Sequence, residues 1–207
     1  MFRKSGATWI FPTKPRPAWN SVSLVLGLDP GSRHTGYGLI RTGNRGATLV
    51  ASGRFSPPPA WPLPRRLALL HQELTELMSV FNPEAVAVET VFTGRNIRSA
   101  VILAQARGVI LLAAAQGGAE IFEYAPREIK NAVTGYGQAE KDQVAFMVAR
   151  LLNHSEPLPP DAADALAVAL CHIGRADWPC PRPGRRGGWR GLSEEDLAAM
   201  SQARSRP

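Results

Sequence analysis

Four acidic residues stand where chemistry is easiest to build. Asp29 ends an apolar run over 24–29 (LVLGLD), and Glu89 ends a second one over 85–89. Asp161 and Asp164 follow Pro160 three residues apart, which puts both on one face of a helix near its start. In sheets flanked by helices, sites form outside the carboxyl ends of strands, so four carboxylates from three distant segments could converge. Such a cluster repels itself, and some members would hold protons unless a counter-charge were supplied. Divalent cations resolve that conflict, and an all-oxygen donor set suits Mg2+ or Mn2+ rather than zinc. Two such ions ~4 Å apart clamp the attacking and leaving oxygens in phosphodiester hydrolysis. Each acid also has a plainer reading. Asp161 is a good N-cap or first-turn dipole partner. Asp29 before Pro30 starts a turn, and Glu89 at a strand end can simply be solvated.

The elements that must position these acids follow from patterning. The run 24–29 reads as a buried strand, Pro30-Gly31-Ser32 as a turn, and 34–41 and 47–55 as two further strands. Five prolines between Pro57 and Pro64 demand a loop. Leu67, Leu70, Leu74, Leu77 and Phe81 then recur at helical spacing, and Asn82-Pro83 ends that helix. Residues 85–88 form a strand, 96–116 a long apolar helix and 120–124 a fifth strand. Helices follow over 126–133, 139–152 and from Pro160 to His172. The order βββαβαβααα implies an α/β fold with a mixed five-stranded sheet covered by helices.

The chain has 207 residues, and its 44% apolar content supports a core and excludes wholesale disorder. Its formal charge of +7 is unevenly placed. Residues 1–23 hold Arg3, Lys4, Lys14 and Arg16 and no acid, and 174–207 hold seven arginines against four acids. The stretch 24–173 is balanced, with thirteen basic and thirteen acidic residues. We therefore expect a domain over 24–173 between two basic, Pro-rich, largely disordered arms, 1–23 and 174–207. The arms are either solubilising tails or phosphate-binding segments whose tryptophans can stack on bases. Two cysteines, Cys171 and Cys180, make no disulfide framework and fit a reducing cytoplasm. The apolar run Thr8-Trp9-Ile10-Phe11 is too short for a secretion signal. Uninterrupted apolar stretches fall short of the ~20 residues of a membrane span, so no membrane is expected.

A family likeness runs through these residues. Leu26-Gly27-Leu28-Asp29-Pro30-Gly31-Ser32-Arg33 and Thr35-Gly36-Tyr37-Gly38 resemble the opening motif of the bacterial RuvC-type Holliday-junction resolvases. Val88-Glu89-Thr90-Val91-Phe92, Gln105-Ala106-Arg107-Gly108, Ala139-Glu140-Lys141 and Asp161-Ala162-Ala163-Asp164-Ala165-Leu166-Ala167 match further motifs in order. The likeness covers residues 24–173. It implies a ribonuclease-H-like fold and a homodimeric, metal-dependent endonuclease that nicks two opposed strands of a four-way DNA junction. It implies two Mg2+ per active site, with Mn2+ as a possible substitute, held by Asp29, Glu89, Asp161 and Asp164. It also implies a branch-migration partner complex of RuvA and RuvB type.

The likeness places active-site lysines at Lys130 and Lys141, the only two lysines in 24–173 beside eleven arginines. A lysine ammonium is a compact charge that can approach a phosphate oxygen, so both are expected to stabilise charge at the cleaved phosphate. Solvated helix lysines are the plain alternative. Phe92 fits a wedge against an unstacked base, with core packing as the plain alternative. Gly31 would let the backbone approach a phosphate. Asn96 either contacts DNA or caps a helix. Thr90 and Arg95 stand where the family more often has Gln or Glu and Lys, and Arg95 would alter phosphate contact. The residues before 24 exceed the family's usual start, so they are either a true arm or the product of an upstream start. The long helix 96–116 is the expected dimer interface. Alternatives are a related nuclease acting on structured RNA, a non-catalytic junction-binding protein, and an actin-like ATPase, which would need a second lobe and a second phosphate loop.

Overall fold

Short β-branched and leucine-rich runs alternate with longer amphipathic ones, and the chain folds accordingly. The computed structural model describes residues 23–31, 33–43, 46–90 and 97–175. The elements are β1 (Leu24–Asp29), β2 (Thr35–Gly43), β3 (Gly46–Phe55), α1 (Leu63–Phe81), β4 (Ala85–Glu89), α2 (Ile97–Gln116), β5 (Glu120–Tyr124), α3 (Pro126–Thr134), α4 (Lys141–Leu151) and α5 (Pro160–Arg175). They form one mixed sheet in the order β3-β2-β1-β4-β5. The first three strands are antiparallel, while β1–β4 and β4–β5 are parallel. This is the expected fold class. Phe92, Arg95 and Asn96 lie outside the described residues, as do 1–22 and 176–207.

Strand alternation sorts the side chains onto two faces. Leu26, Leu28, Leu39, Val86 and Val88 point to one side and are sealed by α1 and α2, through Leu70, Leu74, Met78, Ala106 and Ile110. The other side, carrying Val25, Ile40, Ala85 and Ala87, packs on α3, α4 and above all α5. There β1 and β2 offer Gly27, Gly36 and Gly38, and the helix approaches almost to backbone contact. A Cβ at Gly27 would overlap the Ala165 carbonyl and lie 2.9 Å from the Ala169 Cβ, and one at Gly36 would overlap the Asp161 carbonyl. Alanines on α5 complete the fit, and Ala162, Ala163, Ala165, Ala167 and Ala169 are all buried.

The far end of α5 is tied by a polar contact. The Tyr124 hydroxyl and His172 Nδ1 share a hydrogen bond of 2.8 Å within the core. Burial pushes the His172 imidazole down to about 4, so the ring is neutral and able to accept. The sequence offered no role for this histidine.

Two expectations change. Helix α1 starts at Leu63, so the loop expected over 57–64 ends earlier, with Pro64 inside the first turn. A proline is tolerated there because first-turn N–H groups have no intrahelical acceptor. Helix α2 is long and apolar enough to cross a membrane by length and composition, contrary to the expectation from uninterrupted stretches. It nonetheless carries Arg98 and Arg107, and Ala106, Ile110, Ala113 and Ala114 are buried in the core shared with α1 and the sheet.

Candidate active site

The register of the sheet decides which residues meet. Asp29 ends β1 and pairs with Gly36 of β2, which pairs in turn with Arg54 of β3. On the other side, Leu28 pairs with Val88 in parallel. One further step along that register sets Asp29 beside Glu89, and their carboxyl groups share a hydrogen bond. The close seat of α5 on Gly36 delivers Asp161 to the same row. Asp164, one helical turn on, is half-buried beside it. The three segments named by sequence are thus brought together at one end of the sheet.

Two cations reach into this cluster. Lys141 is the first residue of α4, just after Glu140, whose backbone N–H donates to the Gln143 side chain at 2.9 Å and fixes the helix start. Its ammonium donates to Asp164 Oδ2 at 2.7 Å. That bond raises the Lys141 pKa, so the amine stays charged. Lys141 is 79% exposed and Asp164 only 23%, so the charge is presented to solvent from a seated partner. From the opposite side, Arg54 Nη1 lies 3.4 Å from Asp161 Oδ2. Sequence reading had missed Arg54, because only its pairing opposite Gly36 connects it to the acids.

Asp29 shows the electrostatic character of the place. Burial, then the hydrogen bond to Glu89 and the charges of Glu89 and Asp164, push its carboxyl up to about 8, against a partial offset from Lys141. The unfolded carboxyl titrates near 3.8, so the ion-free fold loses stability as pH rises from there through about 8. A clustered, hard, all-oxygen donor set with a proton held in place of a counter-charge fits a divalent cation. As the side chains stand, no three His, Cys, Asp or Glu groups among the described residues form a ready-made ion cage. Asp161 and Asp164 are instead turned to Arg54 and Lys141. Ion binding must therefore displace a proton and re-aim carboxylates.

A first expected outcome arises here. Ligation needs the carboxylate, so titrating Mn2+ into the protein at pH 7 should release about one proton. The release would appear as a dependence of the calorimetric heat on buffer ionisation enthalpy. It should vanish in Asp29→Asn and fade above pH 8. A heat independent of buffer at pH 7 would contradict this picture of Asp29.

The remaining candidates are placed less centrally. Lys130 is half-buried on α3, and its ammonium makes no hydrogen bond or ion pair among the described residues. Gly31 has a local reason for being glycine, since a Cβ there would overlap the His34 carbonyl in the turn. Phe92, Arg95 and Asn96 are outside the described residues. A groove of about 880 Å³ opens between α3 and the 135–138 turn, with Arg175 on its rim. None of the six candidate catalytic residues lines it, so it is separate from the acid cluster.

Residues 25–172 match the family described as crossover junction endodeoxyribonuclease RuvC. The protein of that name from Chlorobium chlorochromatii is 44% identical over 155 residues, covering 74% of this chain and 81% of the relative. That from Syntrophomonas wolfei is 47% identical over 150 residues, covering 72% and 87%. Among solved structures, Thermus thermophilus RuvC in complex with a Holliday junction substrate superposes with a TM-score of 0.70 at 36% identity, covering 74% of this chain and 94% of that one. The yeast mitochondrial Holliday junction resolvase Ydc2 shares the fold, with a TM-score of 0.54 at 15% identity over 72% of this chain and 77% of its own.

Proposed function

The chain belongs to the RuvC family of crossover junction endodeoxyribonucleases, and from that premise we propose that it resolves four-way DNA junctions by paired symmetric nicks during recombination and repair. The observation that carries this reading is the meeting of Asp29, Glu89, Asp161 and Asp164 with Lys141 inside the family-matched span. The four acids would hold divalent ions, Mg2+ with Mn2+ as a substitute and two per site. When bound, such ions supply a water nucleophile at neutral pH and offset charge on the leaving oxygen. Asp29 and Glu89, on adjacent strands, fix one side of that ion site. Asp161 and Asp164 supply the other from the first turns of α5, whose seat on the glycines sets their position.

Lys141 has a separate task. Its exposed ammonium beside Asp164 can donate to a phosphoryl oxygen as charge builds during cleavage. Lys141→Ala should slow single-turnover cleavage by about 10²-fold and change junction affinity much less. An unchanged rate would remove Lys141 from the reaction. Lys130 would add positive charge along the same strand path. Phe92 would wedge against an unstacked base, and Gly31, Arg95 and Asn96 would contact the DNA backbone.

A junction presents two opposed strands, and each domain carries one site, so a symmetric homodimer is the simplest arrangement. Helix α2 supports it. Ile97 is 81% exposed, Val101 52% and Leu112 51%, and they fall on one stripe of the helix. A branch-migration complex of RuvA and RuvB type and a cytoplasmic site of action complete the reading, as does a nuclease domain flanked by two basic arms. Labelled four-way junction, linear duplex and structured RNA offered to the protein test the substrate. Selective nicking of the junction supports the reading, and preferred cleavage of RNA would overturn it.

A further inference from the structure

Arg54 belongs to the acid row by construction. On one face of the sheet, β3, β2 and β1 contribute Arg54, Gly36 and Asp29 in register, with Glu89 next along. Gly36 has no side chain, and the gap it leaves is where the backbone of Asp161 sits. Arg54, on the strand beside Gly36, meets the Asp161 carboxylate with its guanidinium at 3.4 Å, while remaining 57% exposed. A guanidinium cannot give up its charge, and its planar fork suits carboxylate and phosphate alike. An exposed pair of this length is weakly held and easily exchanged. A divalent ion on Asp161 would be a stronger partner for that carboxylate and would repel the guanidinium.

We propose that Arg54 is an ion-responsive phosphate contact: it pairs with Asp161 in the ion-free site and turns to the DNA backbone when an ion takes Asp161. The inference rests on the reading of Asp161 as an ion ligand. It gives the site a simple order. Before ion uptake, Arg54 neutralises a carboxylate that would otherwise repel the incoming strand. After uptake, its charge lies at the rim of the site, on the β3 side, opposite Lys141. DNA affinity on that side then rises only when the site is loaded for cleavage.

The test uses the full-length protein and two readouts. In calorimetric titration of Mn2+ without DNA, Arg54→Ala should bind the ion roughly threefold to tenfold more tightly than wild type, because a competing cation is gone. In an Asp161→Asn background the same substitution should change nothing, as a double-mutant cycle requires. In the second readout, junction binding is followed against salt in Ca2+, with strands verified intact on denaturing gels. The slope of log affinity against log salt should be shallower by about 0.9 in Arg54→Ala, one phosphate contact. With chelator the two proteins should give equal slopes. Normal Mn2+ uptake by wild type with unchanged or weaker uptake by Arg54→Ala overturns the role of Arg54 alone, as do equal slopes in Ca2+. No Mn2+ uptake by wild type overturns the ligand reading beneath it. A merely structural arginine would leave the salt slope in Ca2+ unchanged when removed.

Discussion

Asp29→Asn should bind a four-way junction about as well as wild type and cleave it at least about 10³-fold more slowly. The size follows from what the substitution removes. Each 1.36 kcal/mol of lost transition-state stabilisation is a factor of ten, and a bound divalent ion supplies several. Asparagine keeps the shape and can still hydrogen-bond Glu89, so the fold should survive. In ion-free protein at neutral pH the carboxyl is already protonated, its pKa pushed up to about 8 chiefly by burial and then by Glu89. The neutral amide therefore mimics the resting state and fails only when an ion must be held. Junction affinity draws instead on surrounding basic groups and phosphates. Single-turnover cleavage and gel-shift titration separate the two effects, and wild-type cleavage by Asp29→Asn would remove this residue from the ion site.

Gly36→Val is the second large effect, and it comes from packing rather than charge. Gly36 carries no group that takes part in the chemistry, yet its missing side chain is what lets α5 lie on β2. Even a single Cβ would overlap the Asp161 carbonyl and come within 3.4 Å of the Ala165 Cβ. Overpacking of this kind costs about 1–3 kcal/mol. The helix must lift, and it carries Asp161 and Asp164 with it. A misplacement near 1 Å can cost about 10²-fold in rate. Denaturant unfolding should show the stability loss, and cleavage under conditions where the variant is fully folded should show the rate loss. A folded, wild-type-rate Gly36→Val would mean that α5 does not set the position of the acids.

Much of this was legible in the sequence, for physical reasons that can be named. Asp29 and Glu89 stood out because apolar strand residues ran directly into a charge, and a parallel pair of such strands must put both charges at one end. Asp161 and Asp164 stood out because a proline fixed the start of their helix. The elements followed from periodicity, with boundaries shifting by a few residues at α1 and α4. Pair register was not legible. It requires knowing that Asp29 faces Gly36 and that Gly36 faces Arg54, and no local pattern carries that. For the same reason the glycines of 36–38 read as part of a motif rather than as the bed of α5. The Tyr124–His172 bond joins residues 48 apart in sequence and left no local trace. The net charge pointed to arms outside the described residues, whereas the site draws its cations from Lys141 and Arg54.

The most direct test of the account is strand-by-strand mapping of cleavage on a labelled four-way junction, with Mg2+ and again after chelation. Paired nicks at symmetric positions on two opposed strands are expected when Mg2+ is present, and none after chelation. Nicking that persists without divalent ions, or that falls equally on linear duplex, would contradict it.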